Sequence, residues 1–125
     1  MPSLPLDGQA PQWLDIPHAL EQIGDEAVLQ EMLGMLQTTL GSDVPQIAQL
    51  LQAHNVRDAN RMLHALKGFI PIFCTAPLCQ QVEQVEMLSK SGMVAEVQQA
   101  YALLAPQLQQ LQADIVRHLE TSVRL

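Results

Sequence analysis

The feature that most limits what this chain can become is the spacing of its apolar residues. Val94, Val97, Tyr101, Leu104, Leu108, Leu111, Ile115 and Leu119 recur at intervals of three and four. Val28, Leu29, Met32, Leu33, Leu36 and Leu40 repeat the pattern upstream. Such spacing lines one face of an α-helix and cannot line one face of a strand. Composition agrees, because aromatics are only 3 % and β-branched residues form no alternating runs. Hydrophobic residues make up 48 % of 125 residues, enough for the core of one domain. The expected fold is all-α: an antiparallel up-and-down four-helix bundle with a short extra N-terminal helix.

Turn residues set the expected boundaries. Residues 1–12, rich in Pro and polar residues, read as a flexible lead-in or linker remnant. A short helix is predicted from Pro17 to Ile23, stopped by Gly24, and Asp25 is a candidate N-cap for the next. Gly41-Ser42-Asp43 is expected to interrupt that second helix, with Pro45 opening a continuation that ends at His54-Asn55. Arg57 to Phe73 form the next helix, and Thr75-Ala76-Pro77 punctuates. A further helix carries Leu78, Val82, Val85 and Leu88 and stops near Ser91-Gly92. The last begins near Met93, with a kink expected at Pro106. The bundle is bounded at 13–120, and 121–125 read as a C-terminal tail.

Charge excludes some functions. Thirteen acidic and six basic residues leave a net charge of −7, a poor match for nucleic acid. Nothing in the sequence is long and apolar enough to span a membrane or serve as a secretory signal. Cys74 and Cys79, five apart, form no CxxC and read as core or near-core thiols of a reducing, cytoplasmic setting. There is no phosphate-binding glycine loop, no nucleophile elbow and no paired zinc spacing. His54 and His64 lack a third ligand, so no metal is expected.

One stretch stands out, Met62-Leu63-His64-Ala65-Leu66-Lys67-Gly68-Phe69-Ile70-Pro71-Ile72-Phe73. At about 100° per residue, Met62, Leu66, Phe69 and Phe73 fall nearly opposite His64. Arg57, Asn60, Arg61, Lys67, Gly68, Pro71 and Thr75 share the histidine's side. His64 is therefore expected to face solvent, with three of the six basic residues around it. A neutral imidazole is a competent nucleophile near pH 7. Lys67, one turn on, can approach the oxygens of a phosphoryl group on Nε2. Gly68 costs a helix about 1 kcal/mol, offset here by room for an approaching partner. Pro71 removes one helix bond and is expected to mark the far end of the helix.

The run His64-Ala65-Leu66-Lys67-Gly68, with Phe73 and Leu78 at later apolar places, resembles the histidine-containing phosphotransfer (HPt) domain family. The resemblance extends over about residues 14–120 and includes Val85-Glu86 at a common Leu-Glu pair. It implies a four-helix bundle without kinase activity of its own. Such a carrier accepts phosphoryl from one receiver-domain aspartate and passes it to another. By this resemblance His64 is the phosphoacceptor, Lys67 supports the phosphoryl group and Gly68 admits the receiver. Glu86 matches a position able to hydrogen-bond the other imidazole nitrogen, although a plain surface carboxylate remains open. Arg57, Asn60, Arg61 and Pro71 are candidate partner-binding residues.

Partners would be response-regulator receiver domains, which bring Mg²⁺ and an acidic pocket, or a hybrid sensor kinase of which this is the C-terminal domain. A monomer is expected. Phe69, Ile70, Pro71 and Cys74 depart from the family pattern. Phe69 and Pro71 support an alternative, a catalytically silent module that binds or sequesters a receiver. The dimerising helix pair of a sensor kinase fits poorly, because Ala65 lacks the acid of that pattern and Pro71 comes two positions late.

Overall fold

A computed structural model describes residues 13–91 and 93–124. The proposed lead-in at 1–12 and the terminal Leu125 lie outside them. Five helices follow in order: α1 (Ile16–Ile23), α2 (Glu26–Gln52), α3 (Val56–Phe73), α4 (Ala76–Ser91) and α5 (Val94–Arg124). The expected all-α bundle is what forms. Helices α2 to α5 are joined by two or three residues each, which turns consecutive helices back on one another. They pack in a ring, α2 on α3, α3 on α4, α4 on α5 and α5 on α2, while α1 covers α2 and α3.

Local chemistry starts the helices where it should. Asp15 and Asp25 cap α1 and α2 by accepting from the backbone N–H groups of His18 and Val28. Asn55 caps α3 reciprocally: its Oδ1 accepts from Asp58 N, and its Nδ2 donates to Asp58 Oδ2 at 2.9 Å. Gly24 ends α1 at φ 82°, a left-handed conformation that favours glycine. The backbone of Trp13–Asp15 pairs with Phe73 and Thr75, tying the N-terminal segment to the α3–α4 corner.

Two expectations about boundaries are corrected. Helix α2 is not interrupted at Gly41-Ser42-Asp43 but runs unbroken through Pro45. The proline and glycine cost about 3 and 1 kcal/mol. Against this stand Leu36, Leu40, Val44, Ile47 and Leu51, a single buried stripe. Each such side chain contributes about 1.5–3 kcal/mol, so continuity wins. Helix α5 includes Pro106, and Leu104, Leu108, Leu111 and Ile115 around it are all buried. It also reaches Arg124, so 121–124 are helix rather than tail. Adding turns to a formed helix is cheap, and Thr121 Oγ1 donates back to Arg117 O.

Helix α5 is bonded to α2 as well as packed on it. Tyr101 Oη donates to Val44 O at 2.7 Å, and Gln98 Nε2 to Leu51 O at 2.7 Å. Gly41 sits where the two helices approach closely: a Cβ there would meet Gln112 Nε2 at 2.9 Å. No helix is long and apolar enough to cross a membrane, among the described residues.

Candidate functional site

Helix α3 buries Ala59, Leu63, Leu66, Ile70 and Phe73. That face is turned about 50° from the expected one, toward Leu63, leaving Met62 and Phe69 half-buried. The reason is tertiary: α3 packs more extensively on α4 than on α2. The turn keeps His64 outside and moves Asn60 and Lys67 to the α3–α4 seam.

His64 is exposed as expected, with 66 % of its side chain accessible. Its Nδ1 lies 3.4 Å from Glu86 Oε2 on α4. Glu86 is no surface carboxylate, because its side chain is completely buried. Lys67 Nζ reaches Glu86 Oε1 at 3.3 Å, and Lys90 Nζ reaches Oε2 at 3.4 Å. Burial by itself pushes the Glu86 carboxyl up. Hydrogen bonds from Lys67 and Asn60, together with the charges of Lys67 and Lys90, outweigh that and hold it below the ordinary 4.5. One buried carboxylate thus gathers an imidazole and two ammonium groups.

Asn60 was expected to face a partner and does not. Its Nδ2 donates to Ser89 Oγ at 2.7 Å, and to Glu86 O and Glu86 Oε2 at 3.3 Å each. Arg57 and Arg61 are exposed on the histidine's side, Arg61 within 3.7 Å of Asp58. The cations near His64 therefore differ from the expected set. Lys67 is held by Glu86, and Lys90 joins from α4. Lys90 was overlooked, although its place four residues after Glu86 was a readable signal.

Gly68 leaves open space beside His64, since nothing lies within 4 Å of a Cβ built there. Pro71 is exposed near the end of α3, and its carbonyl lies 3.2 Å from His18 Nε2, which can donate to it. The other departures from the family pattern point inward. Ile70 and Cys74 are buried, and Phe69 lines an apolar groove of about 200 Å³ with Met32, Met35, Leu36, Thr39 and Phe73. None of these three stands over the imidazole. Cys74 and Cys79 are free thiols, and burial pushes both up from the ordinary thiol range. Among the described residues no group of three His, Cys, Asp or Glu side chains could hold a metal ion.

The pair formed by an exposed imidazole and a buried carboxylate is suited to one chemistry. A carboxylate only accepts, so a neutral His64 presenting Nδ1 to it carries its proton there. The lone pair then sits on Nε2, away from Glu86. No curated protein and no solved structure matches the chain significantly. The family model for the Hpt domain matches residues 31–114, about two thirds of the sequence, across α2 to α5. With that match laid over a helical bundle bearing an exposed histidine, the chain belongs to the Hpt domain family.

Proposed function

We propose that this protein is a phosphocarrier in a multistep two-component relay, with His64 as its phosphoacceptor. What supports the reading is the Nδ1-to-Glu86 contact of an otherwise exposed imidazole. In the reaction, Nε2 attacks the phosphorus of a receiver's aspartyl phosphate. The N–P bond forms, the P–O bond to the aspartate breaks, and that carboxylate leaves as the anion. The Nδ1 proton stays between the ring and Glu86, whose charge balances the positive charge developing on the ring. Lys67 Nζ, beside Glu86, turns toward the phosphoryl oxygens as the receiver docks. An exposed ion pair contributes only about 0–1 kcal/mol, so this support matters most once the docked partner excludes water. Return to a second receiver's aspartate reverses the same steps.

The receiver brings the Mg²⁺ and the acidic pocket, and this bundle supplies position more than covalent machinery. The test is phosphoryl transfer from a panel of phosphorylated receiver domains. Label should appear on the wild type and not on His64→Gln. Binding without transfer across the panel would favour the silent module instead.

A further inference from the structure

Glu86 can direct His64 only if its carboxylate stays where it is, and the 3.4 Å contact is an ion-pair distance, longer than an ordinary hydrogen bond. An outward drift of the carboxylate would lose it. Something must therefore hold Oε2 against α3. Lys90 is a weak candidate, because its side chain is mostly exposed and flexible. Lys67 holds the other oxygen. The remaining group is Asn60, one turn before His64 on the same helix.

Its amide crosses the α3–α4 seam. One N–H has a tight acceptor in Ser89 Oγ, and Glu86 O and Oε2 are equidistant acceptors for the other. Ser89 Oγ in turn donates to Glu86 O, closing a loop around the residue. Asn60 thus ties both the backbone and the carboxylate of Glu86 to the helix that carries the nucleophile. It does so without adding charge.

We infer that Asn60, braced by Ser89, is a positioning residue that sets the tautomer of His64 by holding Glu86 Oε2 against Nδ1. The inference rests on the phosphocarrier reading for its purpose, though not for its measurement. Without Asn60 the carboxylate is free to follow Lys90 outward. The imidazole then reverts toward the tautomer mixture of an unrestrained ring, and fewer molecules present a lone pair at Nε2.

The experiment is ¹⁵N NMR of the His64 ring in the intact chain, with phosphoramidate as a small phosphoryl donor. In the wild type, Nδ1 should carry the proton. Asn60→Ala, and Asn60→Asp, which keeps the shape and removes the donor, should both move the proton population toward Nε2. Phosphorylation by phosphoramidate should slow about two- to tenfold, the range a lost hydrogen bond produces. Ser89→Ala should act in the same direction to a smaller extent, and it serves if the Asn60 variants fail to fold. Leu66→Ala, which weakens the core without touching this loop, should leave the tautomer alone. A ring unchanged in folded Asn60 variants, or in Ser89→Ala where they do not fold, overturns the inference. Failure of phosphoramidate to label the wild type would instead count against the phosphocarrier reading, and the NMR comparison would still decide the role of Asn60.

Discussion

Gly68→Ala separates what the helix wants from what the site requires. Gly68 is in the interior of α3, is exposed, and has nothing within 4 Å of an added Cβ. The methyl group therefore meets no clash inside the protein, and it gains little burial. What remains is helix propensity, about 0.8–1.0 kcal/mol in favour of alanine. For a domain of this size that gain raises Tm by about 3–6 °C. The same methyl group projects from the face of His64, one turn away, into the path of a docking receiver. Overfilling a close interface costs about 1–3 kcal/mol, so transfer from a phosphorylated receiver should fall by about fivefold or more. Phosphoramidate is small and needs no docking, so its reaction with His64 should proceed at the wild-type rate. Gly34→Ala is the matched control: the position is on α2 and equally free of neighbours, and it should show the stability gain without the loss at the α3 face. Thermal unfolding and a receiver-transfer time course measure both effects. A lower Tm, or receiver transfer as fast as wild type, would refute the account of Gly68 as a clearance for a partner.

Other substitutions test other parts. His64→Gln should abolish phosphoryl acceptance yet change stability by less than about 0.5 kcal/mol, since the ring is exposed; a large fall in Tm would contradict that placement. Glu86 has its carboxyl held below 4.5, so its contribution to stability is complete above that value and is lost as pH falls below it toward the folded-state value. Denaturation midpoints measured from pH 6 to pH 3 should fall less steeply in Glu86→Gln than in wild type, and equal slopes would contradict the ion-pair geometry. Tyr101→Phe removes the donor to Val44 O and should cost about 1 kcal/mol in chemical denaturation. His54 adopts φ 63°, so His54→Gly should relieve left-handed strain and stabilise by up to about 1 kcal/mol; destabilisation would contradict that backbone conformation.

The helical content, the exposure of His64 and the clearing at Gly68 were all legible in one dimension. They depend on intervals of three, four and seven residues along single helices, and those intervals are local. Candidate caps such as Asp25 were legible for the same reason, because the capping groups lie within one turn. The unbroken course of α2 through Gly41 and Pro45 was not. Local propensity favours a break there, and only the burial of Leu36, Leu40, Val44, Ile47 and Leu51 against other helices overrides it. Asn60 was misread for a related cause. Its helical-wheel position shares the histidine's side, and only a rotation of the buried face by about 50° toward α4 brings it to the seam. Glu86 is the clearest case. Sequence pattern marks it as a carboxylate in a suggestive place, but its burial and its grip on His64, Lys67 and Asn60 are products of how α3 meets α4. Spacing along a chain prescribes which face a residue occupies, whereas the depth of that face and the group opposite it depend on a second helix distant in sequence.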